Sequence, residues 1–402
     1  MVSSKQQFLL ILLTMLSLLL LAACGGGGGG GGDTTPTTAT GVFKDDNVAG
    51  IDYVSGSQSG TTGADGSFTY EVGQPVSFMV GNVVLGSATG QSVITPVDLV
   101  TSGTSNSTEV LNLVRFLLML DSDGDSTNGI TISSGVQSIA DTWSTVDFTT
   151  VDLATALASI ISDAASTDGT SHTLPSSVTA QSHLESTLRC VRAGGYQGTF
   201  AGDDSGPFGV LVDASTGLLS GFAYSAFDGL LTLSGTTAVS FDQSATFISG
   251  DVSSGAIFSG QFNGPSQISG TWDLSSTNES GTFSGGRIGG SANALHRFTG
   301  SFTTNPGSPV ISHGLFTFDI DSADSVTGIA LTVVATDGTV NELAPFTGTL
   351  TGTTLNATIM DGSVVDATIV GTLNKSSGAL SGTWSDIDGN TGTFSGSGCK
   401  LN

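Results

Sequence analysis

The sequence predicts a mainly β protein that ends in two repeated, eight-stranded meander or barrel-like units. Three observations carry that expectation. The chain holds 58 glycines and only 11% charged residues, against about 25% in an ordinary soluble domain; many short strands joined by tight turns suit this composition. After Cys190, short runs alternate Ser/Thr with apolar residues and are punctuated by glycine. That half also repeats. Tyr196-Gln197-Gly198-Thr199-Phe200 matches Phe298-Thr299-Gly300-Ser301-Phe302, Ser269-Gly270-Thr271-Trp272 matches Ser381-Gly382-Thr383-Trp384, and Gly281-Thr282-Phe283-Ser284-Gly285 matches Gly392-Thr393-Phe394-Ser395-Gly396.

At the start of the chain, Lys5 precedes an apolar run from Phe8 to Ala23, the layout of a secretory signal. The run reaches toward transmembrane length, so a retained anchor helix competes, and the end of the run decides between them. Leu21-Ala22-Ala23-Cys24 resembles the lipobox of bacterial lipoproteins. That resemblance implies a signal peptide over residues 1–23, cleavage before Cys24, and acyl chains (palmitate among them) on its sulfur and new amino group. Gly25, where another class of lipoproteins has Asp, resembles an outer-membrane address. Residues 24–40 run through Gly25–Gly32 into a Thr-rich stretch and read as a flexible tether; about 16 residues of such coil span about 20–24 Å. Acyl chains on one residue anchor stably, because each buried methylene adds about 0.8 kcal/mol.

Residues 41–100 read as short strands. Gly60-Thr61-Thr62-Gly63-Ala64-Asp65-Gly66-Ser67-Phe68-Thr69-Tyr70 places Asp65-Gly66 at a turn before an alternating run. The pattern resembles the small β-sandwich of transthyretin-like, carboxypeptidase-regulatory-type modules, which implies an N-terminal β-sandwich module and no activity. In residues 101–190 the periodicity turns helical. Glu109 to Leu120 is apolar on nearly every side, predicting a buried helix too short to span a membrane. Val151–Ala165 and Ser177–Cys190 also read as helices, and Ser134–Trp143 more weakly. The order from β-module through buried helix to Leu120-Asp121-Ser122-Asp123-Gly124-Asp125-Ser126-Thr127-Asn128-Gly129-Ile130 is similar to a group of bacterial lipoproteins of uncharacterised role.

The two units cover residues 191–295 and 296–402. Alternate residues of a strand share a face, so Gly270 and Trp272 point one way and Ser269 and Thr271 the other; Gly281, Phe283 and Gly285 share a face as well. Small and large residues alternating inside, under a Ser/Thr exterior, suit a small closed barrel. The Gly-Thr-Trp signatures resemble the avidin and lipocalin style of meander, as an analogy of architecture. A parallel β-helix is the alternative for this half.

The net charge of −25 comes from 34 acids against nine bases, which excludes a nucleic-acid partner because no basic patch can form. Divalent cations are compatible. With Cys24 lipidated, Cys190 and Cys399 remain in an exported chain where disulfides persist; they flank the repeated region and are expected to bridge it.

Asp121, Asp123, Asp125 and Asn128 gather four oxygen side chains with glycines between them, which points to calcium as a structural ion. Ser126 and Ile132 stand where an EF-hand needs Gly and Glu, so a plain Asp/Asn-Gly turn is the alternative. His172, His183, His296 and His313 lack zinc-type spacing and read as surface or linker residues. Asp203-Asp204 and Asp386/Asp388 read as turn residues. Trp272 and Trp384 either pack the core or stack on a sugar. No Ser/His/acid set or nucleophile elbow emerges, so no catalytic residue is assigned. The expected role is non-enzymatic: a lipid-anchored envelope protein at the outer membrane, binding, adhering or scaffolding toward a protein or glycan partner. A lipocalin-like carrier of a small apolar ligand comes second and an envelope hydrolase third.

Overall fold

The structure is a computed structural model that describes residues 36–235, 245–249, 255–263, 266–291, 294–309, 312–335 and 342–401. The signal segment, Cys24 and the glycine run lie outside the described residues.

Alternation builds the N-terminal module from β1 (Thr38–Phe43), β2 (Val48–Ala49), β3 (Asp52–Ser55), β4 (Gln58–Thr61), β5 (Ser67–Glu71), β6 (Pro75–Val80), β7 (Val83–Thr89) and β8 (Val93–Ile94). In β5 the buried residues are Phe68 and Tyr70, and in β6 Val76, Phe78 and Val80. One sheet is ordered β5-β1-β8 and the other β4-β3-β6-β7. Their rings meet between them: Phe43 and Phe68 lie 4.7 and 5.1 Å from Phe78. This is the β-sandwich. Its first strand begins inside the stretch read as tether, because Thr38, Ala39 and Thr40 pair with Glu71, Tyr70 and Thr69.

The helical layer comprises α1 (Thr108–Leu120), α2 (Ser134–Ala140), α3 (Leu153–Ala156), α4 (Ala158–Asp168) and α5 (Ser177–Arg192). The all-round apolar character of α1 has a direct cause, since the helix serves two cores. Leu113, Phe116, Leu117 and Leu120 pack into the sandwich core. Val110, Leu111 and Val114 join Leu184 and Leu188 of α5 in the core of the first barrel. Its one buried amide, Asn112, donates to the carbonyls of Phe148 and Thr150 at 2.9 and 2.8 Å, as a buried donor must. The expected single helix over Val151–Ala165 is two, α3 and α4. It starts at Leu153 because the Asp152 side chain caps the Thr155 amide; Val151 stays outside, 97% exposed. A short strand, β9 (Ile130–Thr131), follows the Asp-rich loop and pairs in parallel with β2, which sews the helical segment into the module. No described helix is long and apolar enough to cross a membrane.

Two closed antiparallel barrels follow, and they displace the β-helix alternative. The first runs through β10 (Gly194–Gly202), β11 (Gly206–Val212), β12 (Leu219–Ser225), β13 (Gly229–Gly235), β14 (Ala245–Ser249), β15 (Ile257–Asn263), β16 (Gln267–Leu274) and β17 (Glu279–Ile288). The second runs through β18 (His296–Thr304), β19 (Ser312–Ile320), β20 (Ser325–Ala335), β21 (Glu342–Thr351), β22 (Thr354–Asp361), β23 (Val364–Leu373), β24 (Ala379–Asp386) and β25 (Thr391–Lys400). Each closes by pairing its last strand with its first.

The repeated motifs occupy the same register in both. Across the closing seam Phe200 faces Phe283 and Gly198 faces Gly285; in the second barrel Phe302 faces Phe394 and Gly300 faces Gly396. Trp272 lies opposite Gly281, and Trp384 opposite Gly392. A Cβ on either glycine would collide with the facing indole nitrogen, so these glycines are the space the rings occupy. Between the barrels, Leu211 and Ile288 of the first pack on Leu315 and Leu331 of the second. Buried Arg297 meets Asp319 through two bonds of 2.8 and 2.9 Å, and Thr299 accepts from the Ala214 amide at 3.0 Å.

Two substitutions test this register. Phe283→Ala is expected to cost about 3–5 kcal/mol in urea unfolding, while exposed Thr271→Ala stays within about 0.5 kcal/mol. A larger cost for Thr271→Ala than for Phe283→Ala would mean that the inward and outward faces have been exchanged.

Candidate functional site

Four segments distant in sequence meet around a groove of about 230 Å³. The turn between β1 and β2 contributes Lys44, Asp46 and Asn47, and the loop before β9 contributes Thr127, Asn128 and Gly129. From α5 come Ser186, Thr187, Cys190 and Val191, and from the end of β25 come Cys399, Lys400 and Leu401. The turn is held by Thr187, whose hydroxyl accepts from the Asp46 amide at 2.8 Å; Asp46 itself takes a left-handed φ of 56°.

Two of the four lysines in this acidic chain, Lys44 and Lys400, line the groove. Lys44 is almost wholly buried and donates to the Asn47 side chain and the Leu401 carbonyl. Burial lowers its ammonium to about 8, with Asp46 and Asp65 acting in the opposite direction. Next to it Asp45 is fully buried, and its carboxylate accepts no hydrogen bond. His183 of α5 stands 3.4 Å from that carboxylate. Burial pushes Asp45 up to about 7, partly countered by His183. Burial alone would lower His183, but the charge and backbone carbonyl of Asp45 raise it on balance.

The Asp-rich loop forms one wall. Asp121 is 4% exposed; its Oδ1 accepts from the Thr131 amide at 2.9 Å, while its Oδ2 is buried without a donor. Burial raises this carboxyl, the Thr131 amide pulls it back, and the charges of Asp123 and Asp125 raise it further. Asp123 accepts from the Asp125 amide at 2.9 Å and from the Asn128 side chain at 3.0 Å. Asp125 accepts from the Thr127 amide at 3.1 Å. Among the described residues, no three His, Cys, Asp or Glu side chains stand together in a metal-holding arrangement.

Cys190 and Cys399 form a disulfide with Cα atoms 5.7 Å apart. It does not close a single meander. Each barrel closes on itself, and the bond ties the end of α5, at the root of the first barrel, to the last strand of the second.

The other residues singled out above lie away from the groove. Trp272 is 3% exposed and donates to the Ala201 carbonyl inside the first barrel; Trp384 is half-buried in the second. His172 is a correction: it is buried, not a surface or linker residue, because its ring bridges the Met119 carbonyl at 2.6 Å and Asp168 at 3.1 Å. His183 is likewise drawn inward by Asp45. Asp203 accepts from the amide of Ser280 at the start of β17, and Asp386 accepts from the amides of Asp388 and Asn390 within its own turn. The sequence reading passed over Lys44, Asp45 and Lys400. A signal was present, for in a chain so poor in bases each lysine is a marked position, and Lys44-Asp45-Asp46-Asn47 is a dense charged turn.

Two measurements follow. Asp45 has a folded pKa above its usual value, so its contribution to stability is present at low pH and fades as pH rises toward about 7. Asp45→Asn is therefore expected to flatten the pH dependence, gaining stability relative to the unsubstituted protein at pH about 8 compared with pH about 5, by up to about 1.4 kcal/mol per pH unit; parallel urea-midpoint curves for the two proteins would overturn this. The disulfide closes a loop with a sequence separation of 209, so Cys190→Ser with Cys399→Ser is expected to cost about 2–5 kcal/mol, seen as a lower Tm that reductant does not lower further.

No known family model matches the sequence, and no curated protein matches it. Solved structures aligned with it include transferrin-binding protein B of Haemophilus parasuis, at 11% identity over 52% of this chain and 76% of that one, with a TM-score of 0.21. Another is the intact transferrin-binding protein Ap-TbpB with its N and C lobes, at 11% identity over 49% of this chain and 67% of that one, TM-score 0.20. A protein of unknown function from the DUF3598 family of Nostoc punctiforme aligns at 9% identity over 53% of this chain and 98% of that one, TM-score 0.17. Alignments this shallow assign neither ligand nor partner.

Proposed function

We propose that this chain is a lipid-anchored cell-envelope protein at the outer membrane that binds or scaffolds a protein or glycan partner through the outsides of its β-domains, without catalysis. The observation that carries this reading is how the barrels are filled. Tyr196, Phe200, Phe208, Phe258, Phe262, Trp272 and Phe283 are all at most 4% exposed in one core, and α1 and α5 pack against that core. Phe298, Phe316, Phe318, Phe346 and Phe394 fill the other. An eight-stranded barrel encloses at most one small molecule, and here side chains take that volume, which disfavours the carrier reading. The available surfaces are external. Phe227, Ile387 and Val364 stand 77%, 63% and 56% exposed at hairpin ends, and the polar groove opens at the junction.

The anchor rests on Leu21-Ala22-Ala23-Cys24 and the glycine run after it, which would let the folded part work beside a membrane without entering it. Cys24→Ser is expected to abolish palmitate labelling and release the protein from the membrane fraction. Unchanged labelling and fractionation would remove the anchor from the proposal. Protease treatment of intact cells then reads orientation: digestion of the wild-type chain places the barrels outward, where capture of an external partner is feasible.

A further inference from the structure

We propose that the end of the second barrel where the β22–β23 and β24–β25 turns lie docks a protein segment carrying an apolar side chain flanked by lysine or arginine. The inference rests on the proposed function for its premise that the outsides of the β-domains bind, and it names the surface and the partner's chemistry. Two hairpins build that surface. Met360 pairs with Val365 across the β22–β23 turn, and the Ile387 amide donates to the Asp366 carbonyl at 2.9 Å, which sets the β24–β25 turn beside them. Met360, Val364, Val365 and Ile387 are all exposed. Scattered apolar residues on a surface are ordinary, but neighbouring ones on adjoining hairpins mark an interaction site.

The apolar surface continues into the barrel. Phe302, Ile359, Ile369 and Trp384 are only partly buried, and the Phe302 ring stands 6.0 Å from the Trp384 indole. At the matching place the first barrel is sealed. There Phe258 lies opposite Trp272 and stacks on it at 6.3 Å, with Phe200 edge-on to both, and all three rings are buried. Ile369 takes the place of Phe258 opposite Trp384. An aliphatic chain where the first barrel has a ring leaves Trp384 partly uncovered, so an entering side chain meets an apolar floor.

Charge decides the occupant. The same hairpins carry Asp361, Asp366 and Asp388, while Arg297, Lys375 and Lys400, the bases of this barrel, all lie at its other end. Lys375 is paired there with Asp324 at 2.7 Å. An apolar patch in a field of one sign favours a partner whose anchor is flanked by the opposite sign. A second copy would bring carboxylates against carboxylates. Docking on a membrane surface is favoured by bases beside the apolar residues, and acids stand here instead. The exposed side chains are aliphatic and offer no ring face for a sugar to stack on.

The test uses the full mature chain with Cys24→Ser, which removes the need for detergent. The probe is a synthetic Lys-Lys-Leu-Phe-Leu-Lys-Lys peptide, titrated by calorimetry and indole fluorescence beside a Lys-Lys-Ala-Ala-Ala-Lys-Lys control of equal charge. Saturable binding of the first peptide alone is expected, with a change in indole emission that Trp384→Phe abolishes. Ile387→Ser and Val365→Ser should each weaken affinity about tenfold, and Asp361→Asn with Asp388→Asn should flatten its salt dependence; melting curves confirm that each variant is folded. Undiminished affinity in the Ile387 and Val365 variants would overturn the proposal; if Phe227→Ser removes binding instead, the exterior still binds and the proposed function survives. No saturable heat or equal binding of the alanine peptide would also overturn it. So would flotation with phosphatidylcholine or phosphatidylglycerol vesicles, or dimerisation, that Ile387→Ser abolishes.

Discussion

The constraint on which most of this molecule depends is the interior volume of an eight-stranded barrel. Strand number and stagger fix how wide such a barrel is, and side chains alone must fill it. Each indole fits because the strand beside it offers no side chain at the facing position. Gly281 beneath Trp272 and Gly392 beneath Trp384 meet that condition in both units. Everything outward of the strands is then free to be Ser, Thr or Gly, which accounts for the low charge content without any appeal to function. The barrel is a packed solid whose exterior is largely Ser, Thr and Gly.

Those junctions are where the few charges are spent. Arg297 and Asp319 sit directly across from one another on β18 and β19, both buried. They also reach outside their own barrel: Arg297 donates toward the Ala193 carbonyl, and Asp319 accepts from the Ser291 amide. A buried pair of this kind contributes little net stability against well-packed apolar residues, and losing one partner is costly. Its effect is on geometry, since it joins the root of the first barrel to the second. The disulfide acts at the same root from the other side, through α5 and β25. Between them, the barrels, α5 and the β1–β2 turn are held in one arrangement, and the groove exists because of it.

The period-two glycine–aromatic pattern made the barrels legible in the sequence, because one rule, residues i and i+2 on one face, applied to every strand and repeated in both units. The pairing of Cys190 with Cys399 was legible from their places at the two ends of the repeated region once Cys24 is set aside, and the bond joins the start of the first unit to the end of the second. The buried helix was legible in its hydrophobicity but not in its cause, since no local pattern says that Val110 and Leu113 enter different cores. His172, Asp45 and His183 were misjudged or passed over. Their burial arises from tertiary partners such as the Met119 carbonyl, and a single histidine or aspartate carries no periodicity from which a partner could be inferred.

The groove's ionisable groups show why local sequence underdetermines a site. Lys44 and Asp45 are consecutive and one cause moves them oppositely: burial disfavours the charged form of each, pulling the Lys44 ammonium down to about 8 and pushing the Asp45 carboxyl up to about 7. Asp45 goes inward to His183, and Lys44 goes toward the chain end at Leu401. The ends of β1 and β25 are thereby joined through one ammonium, and α5 is pinned to the same turn by Thr187 and His183.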